Sequence, residues 1–218
     1  MEPWTLVIGN KNYSSWSLRA WLVLEASGVP YQEKLVILDL PESPAELAKA
    51  SPTRRVPVLR IGDLSVWDSL AIAETVAERA PGAGLWPADA NARAVARAVS
   101  CEMHSGFSAL REHMPMNVRR RAPGVGRKPG VAEDIARIQA LWGEARARYG
   151  KDGPFLFGSF GIADAFFAPV VSRLVTYEVE VDAVSRAYMD AVWAWPAMQR
   201  WCAAAVAETY ARPQYEIE

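Results

Sequence analysis

The stretch that decides the fold is residues 13–19, Tyr13-Ser14-Ser15-Trp16-Ser17-Leu18-Arg19. A short apolar run, Thr5 to Gly9, precedes it, and Leu18, Trp21, Leu22, Leu24 and Ala26 follow. The pattern is strand, polar turn, helix, with three hydroxyls gathered where the helix begins. Unpaired backbone N–H groups and the positive end of the helix dipole meet there, so the spot suits an anion. A hydroxyl beside such an end can hold a thiolate, a phosphate or a carboxylate.

Working outward, the first 80 residues alternate strand and helix. The helix from about Ser17 to Ser27 is stopped by Gly28, with Pro30 close behind. Glu33–Leu38 reads as a second strand, and Pro44–Ala50 as a short helix capped by Ser43 with proline at its first position. Val58–Ile61 and Ser65–Trp67 flank Gly62-Asp63-Leu64 as a hairpin, and Ser69–Arg79 carries Leu70, Ala73, Val76 and Ala77 on one helical face. The order is βαβαββα. From Ala88 onward only helical patterns remain: Ala92–His113, Val131–Tyr149, Ile162–Val175, Val184–Trp193 and Pro196–Tyr210, with a Pro/Gly/Arg loop from Arg119 to Gly130. Residues 1–80 therefore read as an α/β domain, 81–90 as a linker and 91–218 as an all-α domain.

Composition narrows the partners. A chain of 218 residues, 51% hydrophobic and 22% charged, has ample material for a globular core. Its net charge of −1 gives no reason to expect nucleic acid or an anionic membrane. The start Met1-Glu2-Pro3-Trp4 lacks the pattern of a signal peptide, no apolar run approaches the roughly 18–20 residues of a membrane span, and the lone pair of cysteines reads as reduced thiols in a cytosolic setting. Cys101 and Cys202 are far apart, and His104 and His113 have no ligand spacing, so neither a disulfide framework nor a metal site is expected. A serine hydrolase fits poorly too, because Gly158-Ser159-Phe160-Gly161 is not a nucleophile elbow.

Two further motifs carry chemistry. Arg54-Arg55-Val56-Pro57-Val58 puts a proline at a strand start, a candidate for the cis isomer, with Val56 placed to offer its N–H and C=O to an extended peptide. At the Trp67-Asp68-Ser69 junction, an acid and a hydroxyl stand at a helix start. They serve as a cap, and the same geometry could grip a ligand's ammonium and carboxylate.

In this order the three signals resemble the glutathione transferase family across essentially the whole chain. The resemblance implies a thioredoxin-like N-terminal domain followed by a helical one, a cytoplasmic homodimer, and glutathione as co-substrate without a metal. The serine turn is similar to the zeta class, the maleylacetoacetate isomerases, whose signature is Ser-Ser-Cys-Ser-x-Arg. Here Trp16 holds the cysteine position, which counts against the isomerase and leaves the serine chemistry intact. The glutathione cysteinyl backbone would pair with Val56 at Pro57, its γ-glutamyl end with Asp68 and Ser69, and its glycine carboxylate with Arg54 or Arg55. Ser14 and Ser15 are both candidates for the thiolate donor; the zeta resemblance favours Ser14, and counting back from Arg19 as in theta-like relatives favours Ser15. Arg19 reads as structural.

The energetics of a serine donor suffice. A free thiol titrates near 8.5, and lowering that by about two units needs roughly 2.7 kcal/mol of preferential thiolate binding. One hydrogen bond to a charged acceptor supplies about 1.5–3 kcal/mol, and a helix N-terminus adds about 0.3–1. For the small hydrophobic or unsaturated electrophile, Trp16, His104, Phe107 and Arg111 are the candidate pocket walls; the last three sit at i, i+3, i+7 and would share a helix face, with Gly106 marking a close approach. The alternatives are glutathione-dependent cis–trans isomerisation of an unsaturated diketo acid, and a glutathione-binding protein without chemistry. Asp164 reads as half of a capping box, its partner position being Gly161.

Overall fold

The computed structural model describes residues 2–217. Four short strands form one mixed sheet: β1 (Trp4–Ile8), β2 (Gln32–Leu35), β3 (Val58–Ile61) and β4 (Leu64–Trp67), in the order β2-β1-β3-β4. β1 runs parallel to β2 and antiparallel to β3, with Val7 opposite Val58; β3 and β4 are the hairpin. The helices among the strands are α1 (Ser15–Ser27), α2 (Ser43–Ala50) and α3 (Ser69–Arg79). The observed order is the βαβαββα read from the sequence.

Six further helices follow: α4 (Ala90–Ser105), α5 (Ser108–His113), α6 (Val131–Tyr149), α7 (Ile162–Thr176), α8 (Ala183–Ala194) and α9 (Pro196–Ala207). A small mixed-sheet domain is thus followed by a helical one, as expected. No described helix is long and apolar enough to cross a membrane.

The position of α1 explains its composition. It packs against α3 on one side and α7 of the helical domain on the other. Leu18, Leu22, Val23 and Leu24 are fully buried, and so are Ser17 and Arg19. Gly28 ends the helix in the left-handed conformation at φ 68°, where a side chain would be strained. Its partner α7 is buried nearly all round, as a helix apolar on every side must be. One core therefore runs through both domains, from Leu6, Leu59 and Ile72 to Met103, Trp142 and Phe166, while Val7, Val36, Ala50 and Val58 form a smaller cluster under α2.

Several boundaries differ from the sequence reading. The second strand ends at Leu35, with one further ladder bond from Val36 N to Ile8 O before the chain turns through Asp39 at φ 69°. Ser43 does not cap α2; its hydroxyl donates to Ile37 O and accepts from Leu40 N, bracing the preceding loop. The single helix expected over Ala92–His113 is two. Gly106 ends α4, where an added Cβ would come within 2.7 Å of Glu102 O, and Phe107 turns the chain in the left-handed region at φ 59°. Arg111 then folds back and donates to the carbonyls of Met103, His104 and Gly106, filling the acceptors that a helix end leaves open.

Candidate active site

The serine turn sits where β1, α1 and the helical domain meet. Ser14 is the N-cap of α1: its Oγ accepts from Ser17 N and donates to Ser17 Oγ, which also accepts from Gly9 N. Ser15 is the first residue of the helix, and among the described residues its hydroxyl takes no partner. Both serines are 7% exposed, and both face one hollow of about 510 Å³. The two hydroxyls that the sequence left equivalent are therefore unlike: one is committed to the cap, the other is free.

A second hollow of about 530 Å³ adjoins the first and shares Trp16, Arg55 and Val56 with it. Pro57, Trp67, Asp68 and Ser69 line it as well. The Val56–Pro57 bond is cis. Among the described residues neither the N–H nor the C=O of Val56 takes a partner, so both can serve an extended ligand backbone. Asp68, at φ 73°, caps α3 through Oδ1, which accepts from Leu70 N and Ala71 N. Its other oxygen lies 3.2 Å from His104 Nε2. The Ser69 hydroxyl is buried without a partner among the described residues.

The electrostatics of the first hollow are one-sided. Arg54, Arg55, Arg111, Arg173 and Arg212 line it, and among the described residues no carboxylate does, although Arg212 is paired with Asp39 just outside. Arg173 is anchored by carbonyls, donating to Met114 O and Pro169 O. Burial pushes its pKa down to about 10, and Arg111 adds to that. Behind Trp16 lies Arg19, fully buried, its guanidinium 4.5 Å from the Trp16 ring and 5.1 Å from that of Phe166, with no hydrogen-bond partner for its nitrogens among the described residues. Such a cluster favours a bound anion.

The glutathione S-transferase N-terminal domain matches residues 13–79 of this chain, and the family's C-terminal domain matches residues 128–204. A maleylpyruvate isomerase of Ralstonia sp is 30% identical over 192 residues, which cover 78% of this chain and 85% of that protein. The chain belongs to the glutathione S-transferase family. A probable maleylacetoacetate isomerase of Caenorhabditis elegans is 29% identical over 140 residues, covering 62% of this chain and 65% of that protein, short of two thirds of its length. Among solved structures, a glutathione transferase homologue from Burkholderia GL BGR1 with bound glutathione superposes at a TM-score of 0.69 with 25% identity, covering 94% of this chain and 98% of that one.

Within this family fold, Ser14, Ser15, Arg54, Arg55 and Val56 gather around the first hollow, and Pro57, Asp68 and Ser69 around the second. Of the four residues expected to wall an electrophile pocket, Trp16, His104 and Arg111 stay together, the Arg111 guanidinium lying 5.1 Å from the Trp16 ring, while Phe107 leaves the group. Trp16 and Arg111 line the first hollow. His104 instead meets Asp68, with its ring edge-on to Trp16 at 5.3 Å. Phe107 lies in the core at 7% exposure, because the chain turns at that residue and the shared face expected for His104, Phe107 and Arg111 does not exist. Gly106 serves the helix end rather than a ligand. Arg19 braces its own turn through the Trp16 ring and also reaches across to Phe166 of α7.

Several residues of the first hollow escaped the sequence reading, among them the polar Arg173, Arg212 and Tyr215. Arg173 left a signal, being the one cation within the otherwise apolar stretch of α7. Arg212 and Tyr215 left none, since the tail's course is a tertiary fact. A further hollow of about 530 Å³ lies apart, near the starts of α4 and α7, lined by Trp86, Asp89, Arg148 and Tyr149 among others, and shares no residue with these two.

Proposed function

We propose that the chain is a glutathione transferase in which Ser15 at the N-terminus of α1 stabilises the glutathione thiolate, which then adds to an electrophilic small molecule. The observation that carries this is the unpartnered Ser15 hydroxyl facing the hollow at the positive end of a helix, beside a Ser14 already spent on the cap. The free N–H and C=O of Val56 would hold the cysteinyl residue, Asp68 Oδ2 and Ser69 the γ-glutamyl end, and Arg54 or Arg55 the glycine carboxylate. Residues 1–80 then act as the glutathione-binding unit, 81–90 as a linker and 91–218 as the source of acceptor walls, in a cytoplasmic homodimer. The donated hydrogen bond from Ser15 lets the thiol proton pass to solvent near neutral pH; the sulfur lone pair then forms the new bond to carbon as the acceptor's π pair shifts onto its activating carbonyl, and the adduct takes a proton back from solvent.

A second reading is glutathione-dependent cis–trans isomerisation of an unsaturated diketo acid, in which the thiolate adds and later leaves. Arg111 and Arg173, beside the first hollow and not needed for the glycine carboxylate, favour it, since they suit a substrate with one or two carboxylates.

The experiment is a glutathione titration followed by tryptophan fluorescence and by thiolate ultraviolet absorbance against pH, on wild type, Ser14→Ala and Ser15→Ala. The proposal expects binding with a depressed thiol pKa that is lost in Ser15→Ala. Binding without any pKa depression in the wild type would leave a binding protein. An acceptor screen with matched neutral and anionic unsaturated acids, repeated on Arg173→Gln, then separates the two readings.

A further inference from the structure

Beyond α9 the chain does not trail away. Residues 208–216 return across the molecule to the turn that carries the serines. Glu208 Oε1 accepts from Lys11 N at 2.6 Å, and its Oε2 accepts from Asn12 N at 3.1 Å. Both donors precede the serines by only a few residues, and a buried N–H left without an acceptor costs about 1–3 kcal/mol. Glu216 Oε1 accepts from Tyr13 Oη at 2.5 Å and from Asn117 Nδ2 at 3.0 Å. The Tyr215 ring stacks on the Tyr13 ring at 5.7 Å.

The rest of the network seals the same turn from below. Asn12, fully buried, accepts from Arg119 N through Oδ1, donates from Nδ2 to Asn117 Oδ1, and accepts from Val118 N through its carbonyl. Arg119 donates onward to Tyr13 Oη, Glu208 O and Tyr210 O, so the Pro/Gly/Arg loop begins as a clamp. Arg212 and Gln214 hold the tail down by donating to Asp39 Oδ2. Three consecutive residues, Lys11, Asn12 and Tyr13, are thereby held by two carboxylates some 200 positions away.

We propose that residues 208–216 form a clasp in which Glu208 and Glu216 are positioning residues for the serine turn, holding the Ser15 hydroxyl where the thiolate forms. This rests on the serine reading above. A thiolate hydrogen bond depends steeply on distance and angle, so releasing the turn weakens it while leaving Val56, Asp68 and Ser69 to bind glutathione.

The test uses the whole 218-residue chain with glutathione alone as the probe. Wild type is compared with Glu208→Gln, Glu208→Ala, Glu216→Gln and Ser15→Ala, reading the glutathione dissociation constant, the thiol pKa of the bound peptide, and amide hydrogen exchange at Lys11 and Asn12. In the Glu208 variants the proposal expects dissociation constants within about threefold of wild type, a thiol pKa raised by about one unit, which is tenfold less thiolate at a lower pH, and faster exchange at both amides. Glu208→Gln, which keeps one acceptor oxygen, should fall between wild type and Glu208→Ala. Ser15→Ala should raise the pKa with the exchange protection intact; if it does not, the serine reading fails on its own account. An unchanged thiol pKa in both Glu208 variants overturns the clasp, even where exchange is faster.

Discussion

His104 Nε2 stands 3.2 Å from Asp68 Oδ2, so the end of α4 touches the residue that starts α3. The contact joins the two domains beside the proposed glutathione site. Burial lowers the His104 pKa; Asp68 opposes this, while Arg19 and Arg111 reinforce it. The folded chain thus binds fewer protons at His104 than the unfolded chain does in the window below the ordinary value of about 6.5. Stability through this group is complete above that value and is lost as the pH falls. Thermal melts between roughly pH 5 and 7 should therefore rise with pH in the wild type and rise less in His104→Gln. Identical slopes would refute the coupling.

Asp68 uses its two oxygens differently, and two substitutions separate them. Asn keeps an acceptor for the Leu70 and Ala71 N–H groups and tolerates the positive φ of 73°, but carries no charge. Asp68→Asn is expected to keep its stability within about 0.5 kcal/mol of wild type, since an Asn cap is about as good as an Asp cap. Its affinity for glutathione should fall about tenfold for loss of one charge-assisted hydrogen bond to the ammonium. Asp68→Ala should lose a further ~1 kcal/mol of stability with the cap. Urea unfolding alongside a titration reads both, and unchanged affinity in Asp68→Asn would remove Asp68 from the ligand site.

Much of this arrangement was legible before any coordinates. Local signals suffice for elements that local chemistry punctuates: Gly28 ends α1, Pro44 opens α2 within a residue, and Gly62-Asp63 makes the hairpin. The break at Gly106-Phe107 was not legible, because Phe gives no warning of a left-handed turn and the acceptors it frees are filled by Arg111 from the next helix. Nor was the distinction between Ser14 and Ser15, which depends on Ser17 Oγ accepting from Gly9 N just past the end of β1. The tail is the extreme case. Nothing near Glu208 or Glu216 in sequence hints at Lys11 or Tyr13.

Asp164 is a folding residue. It is buried, its Oδ1 accepts from Leu156 N and its Oδ2 from Gly161 N, and Gly161 itself leaves no room for a side chain, a Cβ there falling 2.7 Å from Leu85 O. Replacing Asp164 by Ala strands two backbone donors, a loss of roughly 2–4 kcal/mol. Glutathione affinity of the folded fraction should be unchanged, since neither proposed ligand hollow includes the residue. Burial also raises its pKa to about 6. The folded state then holds the proton more tightly than the unfolded state, so this group's contribution is present at low pH and declines as the pH rises from about 4 to 6. Its sign is opposite to that of His104. Wild-type stability with lost glutathione binding in Asp164→Ala would contradict the assignment.

Arg19 sets two large terms against each other. A guanidinium moved from water into a protein interior costs several kcal/mol even after relaxation. Burial holds its pKa well below the ordinary value, and Arg111 and Arg173 push the same way. On the other side are the Trp16 and Phe166 rings, at 4.5 and 5.1 Å, each worth about 2 kcal/mol when desolvated. No hydrogen bond tips the balance, as its nitrogens have no partner among the described residues. The terms nearly cancel, so an apolar side chain of similar length should serve as well. Arg19→Met is expected to unfold in urea within about 1 kcal/mol of wild type, or to be more stable, because nothing buried is left unpaired by the change. A loss above about 3 kcal/mol would mean that the two rings hold the cation far more tightly than such contacts ordinarily do.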